Sequence, residues 1–111
     1  MSRRQRLRGR ARIAAVRTRG AEGRNSGVRV RALANGEPLS RAGFAVTGRT
    51  TAVRRNRVRR RLRAAVTGIL ERHPGVDVLV YARPGPPEQP FPQLVDAIAR
   101  ALTQATAKGT R

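Results

Sequence analysis

The stretch Ala52-Val-Arg-Arg-Asn-Arg-Val-Arg-Arg-Arg-Leu-Arg63 carries the strongest signal in this sequence. More than half of its residues are arginine, yet its apolar residues keep the spacing of a helix that is buried on one side. The arginines on the remaining sides would form a dense array of fixed positive charge. A polyanion is the natural partner of such an array, and nucleic acid is the first candidate.

The apolar spacing predicts a helix over residues 52–71. Thr50 or Thr51 is suited to cap its first turn, and His73-Pro74-Gly75 is suited to end it. The same spacing predicts one face packed on a core and an opposite face that is polar. The buried face is expected to hold Val58, Leu62, Ala65, Val66 and Ile69, and the polar side Asn56, Arg60 and Arg63, with Arg57 and Arg59 on the flanks.

Repulsion within this helix also indicates a partner. Like charges four residues apart destabilise a helix by about 0.2–0.5 kcal/mol per pair. Such pairs are Arg55 with Arg59, Arg57 with Arg61, and Arg59 with Arg63. The sequence has few carboxylates that could neutralise them, so we expect RNA or DNA to do so. A solvated charged face that binds nothing is the alternative.

The composition fits a single basic domain over residues 1–111. It has 25 basic and 6 acidic residues, a formal net charge of +19, and no cysteine for disulfides or Cys-based zinc sites. No apolar run approaches the ~20 residues of a membrane span. The basic N-terminal segment, residues 1–9, lacks the apolar stretch of a secretory signal and is expected to be mobile until bound, although Leu7 could dock. We expect a cytoplasmic protein without a membrane partner.

The N-terminal half predicts a helix, a loop and two strands. A helix is expected from Arg10 to Thr18, with Gly20 as its stop, followed by a loop over residues 20–27. Val28-Arg-Val-Arg-Ala-Leu33 alternates apolar and basic residues and predicts a strand with one buried face. A turn at Asn35-Gly36 leads to a second strand, Ala42-Gly-Phe-Ala-Val-Thr47.

The C-terminal half predicts a central strand and a final helix. Val76-Asp-Val-Leu-Val-Tyr-Ala82 is the most apolar segment and is expected inside the sheet. The proline-rich residues 83–92 predict a stiff extended loop, an amphipathic helix follows from Leu94, and residues 104–111 are expected to form a flexible tail. The predicted order is α, β, β, α, β, α, with a possible further strand within residues 20–40.

The sequence shows no catalytic machinery of its own. The six acidic residues are scattered, so paired carboxylates for metal-assisted phosphodiester chemistry are not indicated. His73 has no second histidine or cysteine near it and reads as a loop residue. Asp77 reads as a strand-end acid, and Tyr81 and Phe91 as anchors of the core or of a loop rather than stacking platforms.

The arginine-rich stretch resembles the signature of the bacterial ribonuclease P protein subunit, Ala-Val-x-Arg-Asn-Arg-x-Lys-Arg-x-x-Arg. The neighbouring segments follow in the order found in that family. Arg41-Ala-Gly-Phe-Ala-Val-Thr47 is similar to its Arg-x-Gly-x-Ser-Val-Ser strand, and Asp77-Val-Leu-Val-Tyr-Ala-Arg-Pro84 to its Asp-x-x-x-x-Ala-Arg-x segment. The resemblance covers roughly residues 5–105.

The resemblance implies an α/β fold, an α+β sandwich with a small mixed sheet in the order αβββαβα. It places the arginine-rich helix in a left-handed crossover between parallel strands, against the general right-handed rule. The family binds the catalytic RNA of ribonuclease P, an endonuclease that hydrolyses the 5′ leader from precursor tRNA and leaves a 5′-phosphate. The protein is then a non-catalytic subunit, one per RNA, that binds no cofactor alone, and Mg²⁺ is expected in the RNA-containing holoenzyme.

The resemblance also assigns residues. The RNA-binding positions fall on Arg55, Asn56, Arg57, Arg59, Arg60 and Arg63. The positions of a leader-binding cleft between the first helix and the sheet fall on Ile13, Arg17, Arg29, Arg31, Thr47 and Arg49. Family members often carry Phe or Tyr in this cleft, and we expect Arg17 and Arg31 to replace those rings by charge and guanidinium stacking.

Three other functions are open from the sequence. A structural RNA-binding protein, such as a small ribosomal protein, has the same size and charge. A membrane-active cationic protein would need aromatic anchors on the apolar arc of the basic helix, which has neither Trp nor Phe. An autonomous nuclease would need the carboxylates or histidine pair that the chain lacks.

Overall fold

The computed structural model describes residues 1–109, and within them the order of helices and strands is αβββαβα. The helices are α1 (Arg10–Arg19), α2 (Ala52–Glu71) and α3 (Phe91–Gly109), and the strands are β1 (Ala21–Asn25), β2 (Val28–Ala34), β3 (Arg41–Val46) and β4 (Val76–Ala82). Short 3₁₀ turns lie at Arg3–Gln5 and Pro86–Glu88. The predicted order and the bounds of α2 are confirmed.

The four strands form one mixed sheet in the order β1-β2-β4-β3. β1 pairs with β2 and β2 with β4 in antiparallel fashion, whereas β3 and β4 are parallel and are joined through α2. Val80 of β4 lies opposite both Val30 and Phe44, so β4 is an inner strand as its apolar sequence predicts. The left-handedness of the β3–α2–β4 crossover stays a prediction.

The main core lies between one face of the sheet and helices α2 and α3. The period of two in β2 buries Val28 and Val30, and the helical period of α2 buries the whole predicted apolar face, with Leu62 fully enclosed. Helix α3 adds fully buried Leu94 and Ile98. Because the apolar face of α2 is packed on this core, Arg57, Arg60 and Arg63 on the other side of the helix are exposed.

Helix α1 packs on the opposite face over a second, smaller cluster. Leu7, Val16 and Leu79 are buried there, and Ile13 and Tyr81 pack against them half-buried. The short helix covers only part of this face. The remainder carries the basic side chains of β1 and β2 and forms an open cleft, described below.

The predicted loop over residues 20–27 is wrong, because Ala21–Asn25 forms strand β1. Only Gly23 of this strand is buried, so it lacks the apolar alternation by which strands are found from sequence. Its pairing follows instead from the tight turn to β2. Ser26 and Gly27 both have positive φ, 47° and 80°, as the two-residue turns of β-hairpins require.

Gly23 lets α3 approach the sheet at backbone distance. A Cβ atom on Gly23 would lie 1.9 Å from the carbonyl oxygen of Ala101. We expect Gly23→Ala to lower the free energy of unfolding by about 1–3 kcal/mol or more, because helix or strand must move. Chemical denaturation measures this loss, and an unchanged midpoint would contradict the close approach.

The matched control is Gly68→Ala in α2. A Cβ atom there meets nothing within 4 Å, and Gly68 has no positive φ. This substitution should raise the free energy of unfolding by roughly 0.5–1 kcal/mol, since glycine is costly within a helix.

Both ends of α3 extend beyond the prediction. The helix begins at Phe91, inside the predicted extended loop, because Pro92 lies in the first turn, where a missing N–H costs no helical hydrogen bond. The flexible tail predicted from residue 104 is wrong as far as Gly109, since α3 continues and Ala105 is fully buried. Residues 110 and 111 of the predicted tail lie outside the described residues.

The N-terminal segment, residues 1–9, docks against the edge of the sheet at Leu7, and its mobility before binding stays a prediction. The backbone N–H of Leu7 donates to the carbonyl of Ala42 at 2.9 Å, and Arg6 and Ala42 form a parallel bridge. Leu7 is buried against α1, while Met1 packs against the main core. The segment therefore crosses the free edge of β3 from one face of the sheet to the other.

Candidate nucleic-acid interface

Helix α2 displays its arginines because its start and its buried face are fixed. The Thr51 side chain accepts a hydrogen bond from the backbone N–H of Arg54 at 3.1 Å, the capping interaction predicted for this position. With the apolar face on the core, Asn56, Arg57 and Arg60 are exposed. The sequence prediction of a one-sided basic helix is therefore confirmed.

The arginines of α2 form two groups, and the first is engaged within the protein. Arg54 makes two hydrogen bonds of 2.7 Å with the Glu88 carboxylate. Arg55 donates to the carbonyls of Val46 at 2.6 Å and Gly48 at 3.2 Å. Arg61 donates to the backbone carbonyls of Pro87 and Gln89. These side chains hold two connections against α2, the one from β3 into α2 and the one from β4 to α3.

Arg55 was predicted to bind RNA, but in the structure its guanidinium is hydrogen-bonded to backbone carbonyls of the protein. The two carbonyls that it binds belong to the connection from β3 into α2. Its half-buried side chain thus holds that connection in place. We expect its effect on RNA to act through the position of α2.

The second group of arginines on α2 carries positive charge that no ion pair within residues 1–109 neutralises. Within residues 1–109, the guanidinium groups of this group make no hydrogen bond and no ion pair. Asn56 lies among them, exposed and with its amide unused. The group consists of Arg57, Arg59, Arg60 and Arg63. A surface with this many unpaired cations is suited to a chain of phosphates.

The arginines of α2 lower the pKa of Glu88. Its pKa lies below the ordinary value, chiefly because Arg54 hydrogen-bonds to the carboxylate, and further because Arg54, Arg57 and Arg61 are positive neighbours. A lowered pKa means that the carboxylate is charged at neutral pH. The ion pair with Arg54 is lost only as pH falls through that lowered value.

A second basic region lies on the sheet face that α1 leaves open. It is a cleft of about 630 Å³ whose lining includes Arg29 and Thr47, two of the predicted cleft residues. The Arg29 guanidinium lies over the Tyr81 ring, 4.3 Å from its centroid. The cleft is completed by Arg24, Gly27, Ala82, Arg83 and Pro84.

Six residues of the cleft lining were not predicted from the sequence, and three of them, Tyr81, Arg24 and Arg83, can contact a ligand through a ring or a charge. Tyr81 was interpreted as a core or loop anchor, and it does pack half-buried beside the small cluster. It reaches the cleft because β4 pairs with β2 in a register that sets Tyr81 opposite Arg29. The alternation in β4 puts Tyr81 on the face opposite Val80, but only the pairing brings it beside an arginine.

Arg31 has a structural role at the base of α1. Its guanidinium donates to the carbonyls of Gly20 at 2.7 Å and Val16 at 3.4 Å and lies 3.6 Å from Glu22. These bonds tie the end of α1 to β2. The side chain is thus much less available for stacking than the resemblance implies.

The other predicted cleft residues lie apart from the cleft lining. Ile13 is half-buried on the small cluster of Leu7, Val16 and Leu79. Arg17 and Arg49 are exposed at the surface. The structure therefore brings together two of the six predicted cleft positions.

Most of the acidic residues serve as partners for arginine. Glu37 forms ion pairs with Arg12 and Arg41, and hydrogen bonds from Arg41 and then Arg12 lower its pKa. The buried Asp77 accepts a hydrogen bond of 2.9 Å from the Asn35 amide. No group of three or more His, Cys, Asp or Glu side chains suited to a metal ion occurs among residues 1–109.

His73 stays outside any such site. Its pKa is lowered, first by burial and then by the positive charge of Arg72.

In the part of the chain that the structure describes, no helix is long and apolar enough to cross a membrane.

Comparison with known proteins points to one family. The model of the family described as Ribonuclease P matches residues 1–106. The chain is 38% identical over 108 residues to the "Ribonuclease P protein component" of Gluconacetobacter diazotrophicus, covering 94% of this chain and 93% of that protein.

Solved structures agree on the fold. The RNase P protein of Staphylococcus aureus superposes with a TM-score of 0.76 at 21% identity, covering 96% of this chain and 98% of that one. The RNase P protein of Thermotoga maritima gives a TM-score of 0.73 at 24% identity, covering 92% and 96%.

Proposed function

Because the chain belongs to the ribonuclease P protein component family, we propose that it binds the catalytic RNA of ribonuclease P and the 5′ leader of precursor tRNA. A role in the processing of tRNA 5′ ends follows from the family. The uncompensated guanidinium groups of α2 are the observation that supports RNA binding most directly. The reaction is hydrolysis of one phosphodiester bond, which leaves a 5′-phosphate on the tRNA, and the RNA subunit carries out the chemistry.

The exposed face of α2 is the proposed contact with the RNA subunit. Arg57, Arg60 and Arg63 can each place a planar guanidinium against phosphate oxygens. Asn56 can donate to a phosphate or base edge and accept from a neighbouring donor. The face is rigid because Leu62 and the rest of the opposite side are packed in the core.

The cleft on the open sheet face is the proposed site of the leader. A single strand needs positive charge along its backbone and a flat ring for its bases. Arg29, Arg24 and Arg83 supply the charge, and Tyr81 supplies a ring. Thr47 offers a hydroxyl at the rim.

Magnesium is expected to bind the RNA rather than this chain. The carboxylates of Glu37 and Glu88 are held by arginines, which leaves neither of them free to coordinate a cation. The protein instead contributes positive charge that lowers the repulsion between RNA strands. We propose one protein per RNA subunit and a cytoplasmic location.

Reconstitution tests this function. The purified chain is added to its cognate RNA subunit at low magnesium, and the cleavage rate of precursor tRNA is measured. We expect faster cleavage than with RNA alone, and none by the protein alone. An unchanged rate would refute the proposal, and co-purification with ribosomal RNA would then favour a structural RNA-binding protein.

The cleft makes a separate prediction. Replacing Arg29 and Arg83 with glutamine should weaken binding of leader-bearing precursor tRNA to the holoenzyme by about tenfold, because two screened phosphate contacts are lost. Binding of mature tRNA should change less than about twofold. Equal losses for the two ligands, measured by equilibrium titration, would contradict the cleft assignment. Arg10 and Arg19, exposed on α1, provide the matched double substitution.

A further inference from the structure

A groove at the β3 edge of the sheet combines residues of three separate segments. One wall is the docked N-terminal segment with Arg6 and Arg8, and the other is α2 with Arg59 and Arg63. The groove has a volume of about 240 Å³. Its floor is the edge strand β3 at Ala42, Gly43 and Phe44, with Met1 and Leu7 completing the lining.

Both walls of the groove carry positive charge, and no acidic residue in the lining offsets it. Within residues 1–109, none of the four guanidinium groups of the groove has a hydrogen bond or an ion pair. Glu37, the acidic residue closest in sequence to the floor of the groove, is already bound by Arg12 and Arg41. Two facing pairs of free cations attract a linear polyanion that can pass between them.

The floor adds an aromatic surface. Phe44 packs against the main core on one side and is half-buried, so part of its ring faces the groove. Arginine pairs along a backbone together with an exposed aromatic ring are the means by which proteins hold single-stranded nucleic acid, with the ring stacking on a base. A duplex presents no free base to that ring.

We infer that this groove binds a single-stranded RNA segment, with its phosphates between Arg6/Arg8 and Arg59/Arg63 and one base against Phe44. The inference rests on the proposed function, and it makes the N-terminal segment a partner of α2 in one composite site. The strand can belong to an unpaired region of the RNA subunit or to the precursor tRNA. Both present the same chemistry.

The test uses the full chain and pairs of substitutions. The probes are a labelled ten-nucleotide oligouridylate and a duplex of the same length. Arg6→Gln with Arg8→Gln should weaken oligouridylate binding about tenfold. The matched control is Arg3→Gln with Arg4→Gln, in the same segment and equally exposed but outside the groove, and it should change binding less than about twofold.

Two further measurements separate a composite site from general charge. Phe44→Leu should weaken binding of the single strand at least about fivefold and leave the duplex unchanged. In a double-mutant cycle, the N-terminal pair and Arg59→Gln with Arg63→Gln should be non-additive, because both walls hold the same strand. Thermal unfolding checks that each variant is folded.

Additive losses, or equal losses from the groove and control pairs, would overturn the inference. Titrations with the RNA subunit alone and with precursor tRNA alone identify the source, since the groove pair should weaken only one of them. If the wild-type chain accelerates cleavage in the reconstituted holoenzyme but the cycle is additive, only the groove has failed. If it does not accelerate cleavage yet the cycle is coupled, the groove stands and the proposed function has failed.

Discussion

Replacing Arg57, Arg60 and Arg63 together with glutamine is expected to weaken binding to the RNA subunit on the order of 100-fold. The three guanidinium groups make no hydrogen bond and no ion pair among residues 1–109, so the substitutions break no such contact within the fold. An exposed guanidinium–phosphate contact contributes up to about 1 kcal/mol, and about 1.4 kcal/mol corresponds to a factor of ten. Equilibrium titration at fixed salt measures the loss.

Salt dependence gives this prediction a second readout. Each phosphate contact releases counterions, so the slope of log affinity against log salt should become shallower by about one per arginine removed, or about three for the triple variant. With about six contacts, the wild-type chain should lose on the order of 10³-fold in affinity between roughly 50 and 200 mM salt.

The control removes the same charge elsewhere. Arg10, Arg19 and Arg100 are exposed on α1 and α3, away from the basic face of α2. Their replacement with glutamine lowers the net charge equally but should change affinity only a few-fold. Equal losses from both triple variants would show that net charge, and not the array on α2, governs binding.

Leu62→Ala is expected to have the largest effect on stability. Leu62 is fully buried in the main core, on the α2 face opposite the free arginines. Removing its side chain should lower the free energy of unfolding by about 2–5 kcal/mol through lost burial and a cavity. Denaturant unfolding of the free protein measures this. Leu62→Met nearly conserves volume and should cost less than about 1.5 kcal/mol.

RNA binding should partly reverse the loss in Leu62→Ala. A ligand that binds only the folded state stabilises it in proportion to the logarithm of its concentration over the dissociation constant. Saturating RNA subunit should therefore raise the melting temperature of this variant, whereas the triple arginine variant should gain little at the same RNA concentration. Rescue of both variants to the same extent would contradict the assigned interface.

The sequence was sufficient where a local pattern decides the structure. Helix α2 was predicted with its bounds because apolar period, capping threonine and terminating Pro-Gly all agree. A further strand within residues 20–40 was left open, but its position at Ala21–Asn25 was missed because β1 has no apolar face and exists through its turn and its pairing with β2. The end of α3 was missed because small alanines such as Ala105 carry little hydrophobic signal although they pack tightly.

The roles of individual arginines were the hardest to predict. Arg31 and Arg55 look like their neighbours in sequence, yet backbone carbonyls of Gly20 and Val46 take up their guanidinium groups. Those carbonyls become neighbours only in the folded chain. Tyr81 entered the cleft for the same reason, since its position beside Arg29 depends on the register between two strands.

The N-terminal segment has a consequence for colloidal behaviour. An outermost strand exposes unused amide and carbonyl groups that recruit extended segments of other molecules, a common origin of aggregates. Here residues 1–9 cover the open edge of β3 at Ala42. Proteolytic trimming of these few residues would leave the arginine array of α2 in place and yet produce a chain inclined to self-associate through its own sheet.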